Sequence, residues 1–293
     1  MFILLLLVFT LVSSFGFKVH YIIGHVIQDR IDSTVKQNIQ SCNYIFDYHN
    51  NEHSFANAST WADRVKYSKK YSWTRTLHYY DVENDPPNSC GILVYPDPSH
   101  NNNNNNNKSD KYGDNLYSFI DYFLSQEPHL SSTYASDTSD TSDTSNTSDT
   151  CLVKPFEFKI FLHLLQDLHQ PLHLTGKKRG GNQQIIHVDD KSYNLHSFWD
   201  SILYDLVMDS LKLHTLKDQI AFFKIILDKD TFKCPETIDL DLFVKWGNEI
   251  SKLNCNLIWN WNDVDYIYNS KKLLIYLIAK SIQRSVCILE ALF

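Results

Sequence analysis

The sequence holds little glycine and little proline, 8 of each in 293 residues. That scarcity excludes collagen-like and elastic architectures. It also leaves little material for a glycine-rich phosphate loop, and neither GxGxxG nor GxxxxGK followed by Ser or Thr occurs. Basic charge is short as well. Lys and Arg number 27 against 34 Asp and Glu, a formal charge of −7. A binder that holds nucleic acid on a broad basic surface is thereby disfavoured. A nucleic-acid enzyme that draws its positive charge from metal ions is not. No CxxC occurs among the six cysteines, which argues against a zinc ribbon or a thioredoxin-type motif. Beyond the first dozen residues no apolar run reaches the length of a membrane-crossing helix.

Apolar residues make up 43% of the chain and aromatics 14%, enough for a packed core. Residues 2–12 form one apolar run, FILLLLVFTLV, followed by Ser13, Ser14 and Gly16. This pattern reads as a secretory leader over residues 1–16, cleaved after Gly16. The remainder is expected in the extracellular space or in the lumen of the secretory or endolysosomal pathway. Nothing in the sequence implies a membrane span or a stable protein partner, and a monomer is expected. Six cysteines suit disulfides in such a compartment. Asn57-Ala-Ser, Asn107-Lys-Ser and Asn146-Thr-Ser are glycosylation sequons.

Two tracts stand apart: an asparagine run at 101–107, and Ser-Asp-Thr repeats at 131–150. Neither carries the apolar area that offsets the entropy of ordering a chain, so both read as loops inserted in one domain spanning 17–293. Helical spacing of apolar residues predicts helices over 21–31, 115–126, 156–168, 198–211, 220–227, 240–258 and 273–293. The best strand candidate is 184–188, in a hairpin near 180–192. The fold class is therefore all-α, a single mostly helical domain with one possible short β-hairpin.

Charged side chains on an otherwise apolar helix need a reason. His163 and Asp167 lie four apart in the most apolar helix and share a face. The same spacing recurs at His196 and Asp200, and Pro171 turns the chain to present His173. One such pair would be an ordinary hydrogen-bonded core pair. Two pairs with a third imidazole within 163–200 point to zinc, whose ligands are imidazole and carboxylate. Asp63 follows Trp61-Ala62, His78 lies in the segment Thr76 to Asp81, and Gly24-His25 falls near the start of the first helix. His169 points elsewhere on its helix. His49, His53, His100, His129, His187 and His214 lack comparable partners.

These segments together resemble the zinc-dependent, single-strand-specific nucleases of the S-one/P-one type, which include the plant bifunctional nucleases. The matching residues are Gly24-His25, Trp61-Ala-Asp63, Leu77-His78-Tyr-Tyr-Asp81, Asn84-Asp-Pro-Pro87, His163-x-x-x-Asp167-x-x-x-Pro171-Leu-His173, Gly180-Gly-Asn182, Asn194-Leu-His196-Ser-x-Trp-Asp200 and Trp246-x-x-Glu249-Ile-Ser followed by Cys255. The resemblance implies a trinuclear zinc cleft. The first zinc takes Asp63, His78, His163 and Asp167, and the second takes His173, His196 and Asp200. The third takes His25, a shared Asp167 and the residue at the mature amino terminus. That residue is a Trp in the family. Five before His25 this chain has His20, whose imidazole could serve instead. The implied reaction is hydrolysis of phosphodiesters in single-stranded DNA or RNA to 5′-phosphate products, with 3′-nucleotidase activity. Asp63 and Lys66 are the catalytic candidates, Lys66 standing where the family has Arg. Tyr79, Arg179 and Asn182 are the substrate-binding candidates, Tyr79 as a stacking platform. The resemblance also implies a disulfide between Cys90 and Cys255. Two alternatives stay open: a zinc phospholipase C of related fold, and a secreted protein stapled by zinc whose altered terminus has abolished catalysis.

Overall fold

The computed structural model describes residues 15–95, 109–126, 151 and 153–293. Residues 1–14 of the expected leader, both low-complexity tracts and the sequons at Asn107 and Asn146 lie outside them. The helices are α1 (Phe17–Arg30), α2 (Ser33–Ser41), α3 (Phe55–Ser59), α4 (Trp61–Val65), α5 (Ser109–Tyr112), α6 (Leu116–Leu124), α7 (Pro155–Asp167), α8 (Leu195–Ser197), α9 (Leu203–Ser210), α10 (Leu216–Asp228), α11 (Leu240–Ser251) and α12 (Tyr266–Leu292). Short 3-10 turns cover Ser72–His78 and Pro171–Leu174, and turns of π-helix cover Phe198–Ile202 and Asn254–Ile258. The fold is a mostly helical single domain, as the apolar spacing implies.

Helix α7 is the axis. Pro155 occupies its first turn, where a missing N–H costs nothing. Every side chain from Phe158 to Asp167 is buried. A helix apolar on all sides can only be central, and α7 packs against α3, α4, α6 and α12. Phe161 stacks on Phe123 of α6 at 3.9 Å, and Phe158 stacks on Tyr44 at 5.0 Å. Phe293 meets both Tyr44 and Phe158 edge-on and so closes the carboxyl-terminal helix over α7. Asn115 caps α6 by accepting from the N–H groups of Tyr117 and Ser118.

Strands β3 (Ile185–Val188) and β4 (Lys191–Asn194) pair antiparallel, with Ile185 opposite Asn194 and Val188 opposite Lys191. Asp189 and Asp190 turn the hairpin with φ of 48° and 60°, the left-handed pair that tight hairpins favour. A second hairpin, β1 (Phe46–Asp47) with β2 (Glu52–His53), is too short for alternation to announce it. Disulfides join Cys42 to Cys151, Cys90 to Cys255 and Cys234 to Cys287. Among the described residues no helix is long and apolar enough to cross a membrane.

Candidate metal centre

Six chain segments deliver the cleft. The helix break at Thr60 lets α4 carry Asp63 inward, and the 3-10 turn over Ser72–His78 ends on His78. The face of α7 offers His163 and Asp167, and the 3-10 turn after it offers His173. Asn194 caps α8 by accepting from Ser197 N at 2.7 Å, which sets His196 two residues before the π turn that holds Asp200. A π turn inserts one residue per turn and so re-aims a side chain, a device common at functional sites. The first turn of α1 adds His20, fully buried.

Three groups of ligand atoms result, each with its atoms within 4.8 Å of one another: Asp63, His78 and His163; His20, His163 and Asp167; His173, His196 and Asp200. Asp167 is the hub. Its oxygens lie 2.9 Å from His78 Nδ1, 3.1 Å from His163 Nε2, 3.3 Å from His20 Nε2 and 3.5 Å from His173 Nδ1. Asp63 Oδ1 is 3.7 Å from His163 Nε2, and Asp200 Oδ2 is 3.1 Å from His196 Nε2.

The protonation states follow from this crowding. Burial alone would raise the carboxyl of Asp167, but the imidazoles of His163 and His173 beside it hold it well below the usual range. Asp63 is likewise lowered: burial opposes, and His163, Lys66 and His78 win. His78 and His173 are pushed down to about 4, burial being the largest cause. His163 and His196 are raised despite burial by the carboxylates of Asp167 and Asp200 respectively. Metal ligands are ionised carboxylates and neutral imidazoles, so a cation binding here would compete with the protons that the carboxylates favour on His163 and His196.

Three of the imidazoles are also aimed. His163 Nδ1 donates to Ser59 O at 2.6 Å, and His196 Nδ1 to Gly180 O at 2.6 Å, leaving Nε2 toward the cleft in both. His20 Nδ1 lies 2.7 Å from Gln166 Oε1, whose amide nitrogen donates to Ser59 Oγ at 2.8 Å. Ser59 and Gln166 thus hold two imidazoles, stacked at 3.9 Å, in one orientation. Gln170 donates to Asp200 Oδ1 at 2.5 Å. Such outer hydrogen bonds fix tautomer and ring plane in metal sites. His20 Nε2 and His173 Nδ1 are buried without a hydrogen bond. Unmatched buried polar atoms of this kind call for a partner. An imidazole and carboxylate set suits zinc, so the residues fit the metal.

The carbonyl of Gly180 is held by an unusual turn. Lys178, Arg179, Gly180 and Gly181 all have left-handed φ, from 50° to 79°. At Gly180 a Cβ would come 2.6 Å from Leu172 O and 3.4 Å from His196 Nδ1, so only glycine fits.

The remaining sequence candidates fall in different places. His25 does not join the cluster. Its ring meets Tyr21 edge-on at 4.7 Å, and its nearest charges are Asp29 and Glu52. His20 and His25 are five residues apart in α1, hence about 140° apart around it, and cannot serve one metal from one face. Lys66 is buried and pairs with Asp63 Oδ1 at 2.7 Å, its ammonium stabilised by that carboxylate against the cost of burial. Tyr79 caps the turn after His78 and is 39% exposed. Arg179 is exposed close by, and Asn182 donates to its carbonyl. Asn57 lies inside α3, buried, its amide nitrogen engaged with Glu52. His169 is buried away from the cleft, between Leu165 O and Arg284. Residue types alone had not singled out Gln166, Ser59 and Gln170. The available signal was Gln166, the one uncharged polar side chain in the run from Phe158 to Asp167.

The S1/P1 nuclease family model matches residues 15–276, and the chain belongs to that family. Among relatives, it is 26% identical to Nuclease S1 of Aspergillus oryzae over 148 residues, 50% of this chain and 40% of that protein. It is 23% identical to Nuclease P1 of Penicillium citrinum over 172 residues, 59% of this chain and 52% of that protein. It is 24% identical to Endonuclease 2 of Arabidopsis thaliana over 218 residues, 73% and 64% respectively. The chain thus spans roughly half the length of the curated relatives it matches.

Proposed function

We propose that this chain is an exported, zinc-dependent endonuclease that hydrolyses single-stranded DNA and RNA to 5′-phosphate products and also acts as a 3′-nucleotidase. The observation that carries the reading is Asp167, one buried carboxylate within 3.5 Å of four imidazoles. A group so placed serves more than one cation. The ligand sets are Asp63, His78, His163 and Asp167; His173, His196 and Asp200; and His20 with Asp167. The third set uses His20 in place of His25. Bound zinc would lower the pKa of a water and neutralise phosphate charge.

The chain's own residues supply orientation. Ser59, Gln166, Gly180 and Gln170 hold the ligands in one tautomer and plane. Lys66 carries a buried ammonium beside Asp63, placed to meet a phosphate oxygen as a point charge. Tyr79, half-exposed after His78, offers a ring on which a base can stack, with Arg179 and Asn182 at the same rim. Because the ligand atoms are buried, a base must leave its stack to bring its phosphate in. Single strands meet that condition at the lower cost. Three disulfides and the apolar segment 2–12 support export.

The test is hydrolysis of matched single-stranded and duplex DNA, and of phosphatidylcholine, by the purified chain before and after chelation, with zinc counted per molecule. Single-strand hydrolysis lost on chelation and restored by zinc is expected. Hydrolysis of the lipid alone would overturn the reading.

A further inference from the structure

A second cleft is built partly on the same helices, one turn of α7 before His163. It encloses about 300 Å³ and is lined by residues of the β1–β2 turn, α3, α4 and α7, among them Phe46, Tyr48, Trp61, Arg64 and Lys159. Its most telling feature is Lys159. This side chain is 7% exposed, stands four residues before His163 on α7, and forms no ion pair among the described residues. Its ammonium donates to Phe46 O at 2.8 Å and lies 5.8 Å from the centre of the Trp61 ring. Lysine is seldom buried without a countercharge. The one acid in the lining, Asp47, already accepts from His49 N at 2.9 Å and Asn50 Nδ2 at 3.1 Å. Arg64 adds a second cation. It spends one N–H on Asn57 O at 2.9 Å, which leaves the rest of an exposed guanidinium available. Burial lowers the Lys159 ammonium, Asp47 raises it and Arg64 lowers it further.

Two cations and three aromatic rings around a space of this size match one ligand class: a phosphate monoester that carries a planar ring. We propose that this cleft is a second nucleotide site, which takes a nucleoside monophosphate with its phosphate against Lys159 and Arg64 and its base against Trp61 and Tyr48. The choice of nucleotide rests on the nuclease reading of the metal centre, whereas the cationic, ring-lined pocket does not. The site shares α4 and α7 with the cleft, through Trp61 and Asp63 on one and Lys159 and His163 on the other. A reaction product would therefore settle beside the cleft that made it, one turn along α7 from His163.

The experiment is calorimetric titration of the zinc-loaded chain with deoxyadenosine 5′-monophosphate, deoxyadenosine and inorganic phosphate. It is repeated on Lys159→Gln and Arg64→Gln, with single-strand DNA hydrolysis measured in each. Wild type should show a nucleotide-binding event that weakens at least tenfold in either variant while hydrolysis changes less than twofold. Deoxyadenosine should bind at least tenfold more weakly than the nucleotide. Arg64 is exposed, so its variant carries the test if Lys159→Gln does not fold. Nucleotide binding unchanged in Arg64→Gln overturns the proposal. Phosphate binding as tightly as the nucleotide reduces the pocket to an anion site and also overturns it. Intact binding without DNA hydrolysis would sink the reading of the metal centre instead, so the two failures are separable.

Discussion

At the scale of single residues, the cleft separates groups that look alike in sequence. His20 and His25 are both histidines of α1, yet only His20 reaches Asp167. His20→Ala should therefore lose one zinc and most turnover while the Asp63 and Asp200 groups stay loaded. His25→Ala should keep wild-type zinc content and turnover within about twofold. Zinc per chain and hydrolysis rate, measured on both, decide the assignment; equal loss in the two would refute it. Gln166 makes a finer case. Its side chain is fully buried and bridges His20 to Ser59. Gln166→Leu keeps the volume and removes the acceptor that fixes the His20 tautomer. Removing such an outer partner costs about 10- to 100-fold in metal affinity. Competition with a chelator should show that loss for one zinc only, with Gln166→Glu closer to wild type. A uniform fall in melting temperature without a change in zinc affinity would mean that Gln166 only packs.

At the scale of elements, the left-handed turn 178–181 is where backbone strain meets the site. Gly180→Ala places a methyl at φ +60° and 2.6 Å from Leu172 O. A left-handed non-glycine residue costs about 1–3 kcal/mol before the clash is counted. The variant should melt earlier and hold less zinc at the His173, His196 and Asp200 group, because the carbonyl that aims His196 moves. Melting curves with and without chelator would show it, and a mutant that loses stability equally in both would leave the turn purely structural. Part of the helical pattern was legible in sequence: α7 and α6 fall within a residue or two of their apolar pattern and the β3–β4 hairpin lies near where alternation put it, whereas α12 starts seven residues, and α1 and α10 four residues, before the expected bounds. The short elements were not. Helices α3 and α4, five residues each, and the 3-10 and π turns bury too little periodic surface to leave a pattern. The expected helices 198–211 and 240–258 ignored the π turns, since one extra residue barely perturbs a hydrophobic stripe. In the site, pairs four apart on one helix were readable as neighbours. Which of two α1 histidines faces the cleft depends on how the helix is rotated, and its apolar residues surround both.

At the scale of the whole molecule, the ends of the chain are tied to the centre. Cys90 and Cys255 are 165 residues apart in sequence and join the segment after Asn84 to the π turn that follows α11. Closing so long a loop restrains the unfolded chain by up to about 4–5 kcal/mol in the entropic model. Cys90→Ser with Cys255→Ser should therefore lower unfolding free energy by several kcal/mol while leaving zinc stoichiometry intact. Denaturant titration would check this, and unchanged stability would show that packing of α11 alone suffices.

The amino terminus is bound still more closely to the chemistry. Phe15 and Gly16, the last residues of the expected leader, are packed into the fold. Phe15 is 1% exposed and meets the His20 ring edge-on at 6.1 Å. Gly16 precedes α1 so near the π turn that a Cβ would lie 2.6 Å from Asp200 O. Cleavage after Gly16 would strip a core aromatic from beside a ligand and free the first turn of α1. Cleavage after Ser14 would keep both residues and still place a small side chain at the cut, as signal peptidase requires. The family match also begins at residue 15. The chain recovered from the medium of expressing cells should begin Phe15-Gly16-Phe17, as read by Edman degradation or intact mass. A start at Phe17 with full zinc content and turnover would show that the His20 site needs nothing ahead of α1.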